Sequence, residues 1–162
     1  MTEAAGDGFA AYMIEHGVID MIIEHSDNQK ELQMNMMRAA SVFPTGSKVY
    51  VAGPMRGIPE FNFPAFHAAA DMLRQIGCTV FNPAAKDNER HGTDISKGNA
   101  AGCEEIAAKQ HGFNLREALG LDLAWICAEA DAVALLPGWQ KSKGATAEKA
   151  TAEALGLLVV EL

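Results

Sequence analysis

Residues 132–155 read Ala-Val-Ala-Leu-Leu-Pro-Gly-Trp-Gln-Lys-Ser-Lys-Gly-Ala-Thr-Ala-Glu-Lys-Ala-Thr-Ala-Glu-Ala-Leu. The unbroken apolar run Ala132 to Leu136 is too short for a helix and suits a strand covered on both faces. Pro137 and Gly138 stop it, and from Ala145 to Leu155 alanines and other strong helix formers predict a helix. Strand, loop and helix in that order are half of a βαβ unit. In open α/β sheets the loop at the carboxyl end of such a strand is where ligands bind. Here it carries Lys141, Ser142, Lys143 and Gly144, with Glu148 following. A hydroxyl, two ammoniums, a flexible glycine and a carboxylate can hold an anion and supply a nucleophile.

The same alternation extends in both directions. Lys48 to Ala52 predicts a strand that runs into a Gly53-Pro-Met-Arg-Gly57 loop. Phe63 to Ile76 places Phe66, Ala70, Leu73 and Ile76 on one helical stripe, stops at Gly77, and leads to a strand at Thr79 to Phe81. Residues 84–112 are rich in Gly, Asn, Lys and Glu with weak periodicity, and predict an insert or lid, helical around Ala100 to Lys109. Phe113 to Glu129 predicts a helix and Leu157 to Glu161 the last strand. The domain therefore spans 48–162 as a doubly wound parallel sheet of four to five strands. Residues 1–47 form an N-terminal helical extension, with helices expected at Phe9 to His25 and Glu31 to Ala40. Their Met-rich stripes suit packing on the domain or across a subunit interface.

Composition bounds the function. The 162 residues, 49% hydrophobic and 21% charged, suit one substantial core. A formal net charge of −8 opposes the broad phosphate attraction that polymeric nucleic acid binding needs, and opposes an anionic membrane surface. No apolar run approaches the roughly 20 residues of a membrane span. Cys78, Cys103 and Cys127 are odd in number and lack CxxC spacing, and no leader pattern opens the sequence, so a reducing cytoplasm is expected. The five histidines, His16, His25, His67, His91 and His111, form no metal-ligand spacing. No P-loop or dinucleotide glycine pattern is present. A small anion could still bind at a local basic spot.

The loops beginning at Gly53 and Pro137 are expected to lie side by side at the sheet centre and to form the ligand crevice. Gly53 and Gly57 permit close backbone approach, and the Arg56 guanidinium suits a phosphate or carboxylate, although turns need glycine and proline in any case. Ser142 is placed to cap the next helix with Gly144 just inside, so free amides face the crevice and a phosphate could dock there. Glu148 sits amid Ala145, Ala147, Ala150, Ala152 and Ala154, small neighbours that leave a carboxylate reachable; an ordinary solvated glutamate has the same pattern.

Three ordered motifs carry a resemblance: Tyr50-Val-Ala-Gly-Pro-Met55-Arg-Gly, the Asp122-Leu-Ala-Trp helix, and Ser142-x-Gly-x-x-x-Glu148. Over residues 48 to 162 the chain resembles the nucleoside 2-deoxyribosyltransferase family, particularly its nucleotide N-hydrolase branch and phage or prophage members. The resemblance implies a flavodoxin-like sheet and cleavage of the bond between base and sugar. It casts Glu148 as nucleophile on the anomeric carbon, Asp122 as the acid that protonates the departing base, and Tyr50 as the residue that orients Glu148. Gly53, Met55, Arg56 and Gly57 fall at substrate-binding positions, as do Ser142 and Gly144. Asn82 falls at a base-pocket position, where a turn role before Pro83 is equally open. Transferases that act on free nucleosides have aspartate six residues before the nucleophile; Ser142 stands there instead and favours a 5′-monophosphate.

The chain departs from the hydrolase branch at Pro54, where that branch has serine, and in ending at Leu162 without a further segment. Either the N-terminal helices or the 84–112 insert complete the pocket, or the phosphate is held less fully than in that branch, and the resemblance implies a homodimer or larger homo-oligomer. The alternatives are a deoxyribosyltransferase, a non-catalytic nucleotide sensor that retains the crevice, and an adaptor using its N-terminal helices. A cytokinin-type phosphoribohydrolase register beginning at Gly144 and Thr146 fails, since its closing carboxylate falls on Lys149.

Overall fold

The computed structural model describes residue 30 and residues 33–162. The helix expected at Phe9 to His25 lies outside the described residues, and residues 33–42 are helical. The α/β unit runs from Ala39 to Leu162. Its elements are β1 (Lys48–Ala52), α1 (Phe63–Gln75), β2 (Thr79–Phe81), α2 (Pro83–His91), α3 (Glu104–His111), α4 (Leu115–Glu129), β3 (Ala132–Leu135), α5 (Lys143–Ala154) and β4 (Leu158–Glu161), with short 3-10 turns at Pro59–Asn62 and Trp139–Lys141.

The four strands are parallel in the order β2-β1-β3-β4, with Tyr50 opposite Phe81 on one side and Val133 on the other. This is a flavodoxin-like sheet. Central β1 and β3 are buried along almost their whole length, which is why they read as continuous apolar runs rather than alternating ones. Tyr50, Ala52, Val133 and Leu135 share one face with Ile126 of α4 and with Ala145 and Ala152 of α5. The alternate side chains Val49 and Val51 point to the other face, where α1 packs against β1 and β2. Gly53 ends β1 where a Cβ would come within 2.8 Å of the Leu136 side chain, so the two central loops approach too closely for any other residue without a shift.

Residues 84–112 hold the helix expected around Ala100 to Lys109, as α3, and also most of α2, which the weak periodicity did not indicate. Asn82 Oδ1 accepts from the Ala84 and Ala85 amides at 3.0 and 3.5 Å, Pro83 occupies the first turn, and Gly92 closes α2 in the left-handed region at φ 66°. Good caps on a polar helix leave little hydrophobic period to read. Similar capping shifts two boundaries: Asn114 starts α4 at Leu115, and Ser142 starts α5 at Lys143, two residues before the expected position. No helix among the described residues is long and apolar enough to cross a membrane.

Candidate active site

Because β1 and β3 are neighbours and their connections leave toward opposite faces, the chain parts at their carboxyl ends. A cleft of about 670 Å³, counting the solvent at its mouth, lies there. Glu148, on the second turn of α5, lines it and is only 7% exposed. Tyr50, at the middle of β1 and fully buried, donates its hydroxyl to Glu148 Oε1 at 2.9 Å. The ring is held by stacking on Phe81 at 5.4 Å between centroids and by a tilted contact with Trp125 at 6.3 Å. A phenol fixed in the sheet thus sets the orientation of a carboxyl carried by a helix.

Asp122, on α4, lines the same cleft. Burial pushes its carboxyl up to about 7, the Asp87 charge adds to that, and the Tyr50 hydroxyl and Arg90 oppose it. Burial likewise pushes Glu148 up to about 8, with the Tyr50 hydrogen bond opposing and Asp122 adding. Tyr50 itself is held well above the usual tyrosine value, first by burial and then by the two carboxyls, so it stays a donor. Strong shifts from burial and like charge, gathered in one cleft, are what acid–base chemistry near neutral pH requires.

The other expected residues divide. Gly53, Met55, Arg56, Ser142 and Gly144 line the cleft. The Arg56 guanidinium donates to Glu104 Oε2 at 3.2 Å, in a pair that is 45% and 35% exposed. Ser142 Oγ accepts from the Ala145 amide at 3.2 Å, and the Ser142 carbonyl accepts from the Thr146 amide and hydroxyl. The first amides of α5 precede any intrahelical acceptor. Gly57 turns the chain at φ 76° and its amide donates to the Gly102 carbonyl at 3.0 Å, outside the cleft lining. Asn82 is 1% exposed and also outside that lining; besides capping α2, its amide meets His67 Nδ1 at 3.1 Å.

Two features have no counterpart among the residues singled out from sequence. Asp87 of α2 lines the cleft at 6% exposure, with Arg90 Nη1 donating to its Oδ1 at 3.1 Å. Burial lifts its carboxyl to about 6 against the pull of Arg90. The signal for it was Asn82-Pro83 as a helix start, which puts residues 83 and 87 on one face. The second is an aromatic wall of Phe61, Phe63, Phe66 and Phe113. Phe61 reaches it through a turn in which Glu60, Phe61 and Asn62 are all left-handed, with φ of 53°, 51° and 59°. Among the described residues no group of three or more His, Cys, Asp or Glu could hold a metal ion.

Fold and cleft together define a parallel α/β protein with buried carboxyls at the switch point of its sheet. By sequence the chain belongs to the family of the domain of unknown function DUF4406, whose model matches residues 47–161. No curated protein and no solved structure matches it.

Proposed function

We propose that the protein is an N-glycosidase that hydrolyses the bond between base and sugar in (deoxy)nucleoside 5′-monophosphates. The observation that carries this reading is the buried Tyr50–Glu148 hydrogen bond on the wall of a cleft that also holds Asp122. The motif resemblance to nucleoside 2-deoxyribosyltransferases assigns the same three residues to the same chemistry. Glu148 attacks C1′ while the C1′–N bond breaks and Asp122 gives its proton to the departing base. The resulting glycosyl ester is then opened by water, which loses its proton to Asp122, with net retention.

The productive state has one proton between the two carboxyls, and since burial lifts Glu148 to about 8 and Asp122 to about 7, that proton must pass from Glu148 to Asp122 before attack. The Tyr50 hydroxyl and the positive charge developing at C1′ both favour the ionised form of Glu148. At the other end of the substrate, the first amides of α5 and the Ser142 hydroxyl proton offer donors to a 5′-phosphate. Arg56 can join them, since its exposed pair with Glu104 is weak enough to exchange for a dianion. This reading carries with it a cofactor-free cytoplasmic homo-oligomer.

The test is incubation with a panel of ribo- and deoxynucleoside monophosphates, followed by chromatography for free base. Release that is abolished in Glu148→Ala supports the proposal. Release undiminished in that variant, or none from any nucleotide, defeats it. A second free base in the mixture separates hydrolysis from transfer, because transfer makes a new nucleotide.

A further inference from the structure

Asp87 makes and breaks no bond in the cleavage above, yet it is as buried as Glu148 and lines the same cleft. Sheet order fixes which end it occupies. Glu148 and the amide-rich start of α5 follow β3, whereas α2 follows β2, on the opposite flank of β1. The cleft therefore runs across the end of β1, with groups suited to sugar and phosphate on the β3 side and Asp87 on the β2 side. Rings that also line the cleft, Phe63, Phe66 and Phe113 among them, are surfaces on which a planar base stacks. Arg90 donates to Asp87 Oδ1 and supports its charge, and an ionised carboxylate has further acceptor sites but no proton to give.

We propose that Asp87 is the residue that reads the base, accepting a hydrogen bond from an exocyclic amino group, so that the cleft selects amino-bearing bases over their oxo counterparts. An oxo base sets a carbonyl oxygen against the carboxylate, two acceptors with no proton between them in a site shielded from water. This inference rests on the nucleotide reading of the cleft and adds the class of base to it.

The experiment compares base release from the 5′-monophosphates of deoxycytidine and deoxyuridine, and of deoxyadenosine and deoxyinosine. Each pair differs in an amino against an oxo group. The wild-type protein is expected to favour the amino member at least about tenfold in kcat/KM, as loss of a charge-assisted hydrogen bond implies. Asp87→Asn, whose amide can donate or accept, is expected to bring each pair within about threefold. Equal wild-type rates within the pairs overturn the inference while leaving the glycosidase reading intact, and so does a variant that keeps the wild-type ratio. The wild-type ratio decides alone where the variant fails to fold. If no nucleotide releases base, the cleavage reading fails by itself, and calorimetric binding of the same four nucleotides decides the inference. Tighter amino-member binding that Asp87→Asn abolishes supports it, and equal or absent binding overturns it.

Discussion

The Tyr50 hydroxyl and Glu148 Oε1, 98 residues apart in sequence, meet at 2.9 Å in the buried floor of the cleft. One partner stands on the central strand and the other on the helix after β3, so any sliding of α5 on the sheet breaks the bond. The phenol stabilises the ionised form of a carboxyl that burial drives toward the neutral form. Tyr50→Phe removes the donor with almost no change of shape. Loss of one donor to a buried charged group costs about 1–3 kcal/mol, so kcat is expected to fall by roughly 5- to 150-fold. The acid limb of the rate profile should move to higher pH, since the restraint on Glu148 is gone. A variant with unchanged rate and limb would show that the hydroxyl does not tune the nucleophile.

If the protein is the glycosidase proposed above, the rate of base release is expected to be bell-shaped in pH. Asp122 is pushed up to about 7 and Glu148 to about 8, in both cases mainly by burial. The two values belong to the pair, and the active form holds one proton. Below about 7 both carboxyls of the pair hold protons, and above about 8 neither does. The maximum is therefore expected between these limbs. Initial rates from pH 5 to 10 measure it, and activity rising to a plateau at high pH would contradict a protonated acid.

The same shift makes Glu148 a source of pH-dependent instability. Its folded value lies above its ordinary 4.5, so the folded state holds this proton more tightly than the unfolded chain does. The stability this contributes is complete below about 4.5 and is lost as pH rises through about 8. Glu148→Gln keeps the shape and removes the titration. Its stability is expected to match the wild type near pH 4.5 and to exceed it at pH 9 by on the order of 2–4 kcal/mol, seen as a higher melting temperature. Under the proposed mechanism, base release is expected to fall at least about 10³-fold in the same variant, as for loss of a covalent nucleophile. Thermal melts at the two pH values separate this from a general packing change, which would alter both equally.

What the sequence disclosed and what it hid follow from one physical distinction. β1 and β3 are buried on both faces, so their apolar runs were readable, and their pairing followed from the alternation with α1 and α5. Tyr50 and Asp122 were named only through the motif resemblance, whereas Glu148 also stood out among small neighbours about one turn after Ser142. Asp87 was hidden because α2 is held by the Asn82 cap and Gly92 rather than by an apolar stripe. The Arg56–Glu104 pair joins residues 48 apart on two irregular stretches, and no local pattern specifies it. The left-handed turn was hidden for a related reason: Glu60 and Phe61 are residue types that avoid that region, and only distant contacts force them into it.

Those contacts make the last prediction a matter of opposite signs. The Glu60 amide donates to the Asn99 carbonyl at 3.1 Å, Asn62 Nδ2 donates to the Pro54 carbonyl at 3.0 Å, and Phe61 is buried in the cleft wall. Together they hold a turn that costs about 1 kcal/mol or more per residue in backbone sterics. Glu60→Gly relieves one such residue, exposed and with only its amide bonded across, and is expected to raise the melting temperature by about 1–3 °C. Gly102 lies on the other side of the same junction, where a Cβ would sit 2.2 Å from the Ile58 carbonyl oxygen at a backbone φ of +56°. Gly102→Ala pushes backbone against backbone and is expected to lower stability by about 3 kcal/mol or more, with loss of base release as Phe61 leaves the wall. If Gly102→Ala melts like the wild type, the loops do not hold the turn, and the aromatic wall needs another anchor.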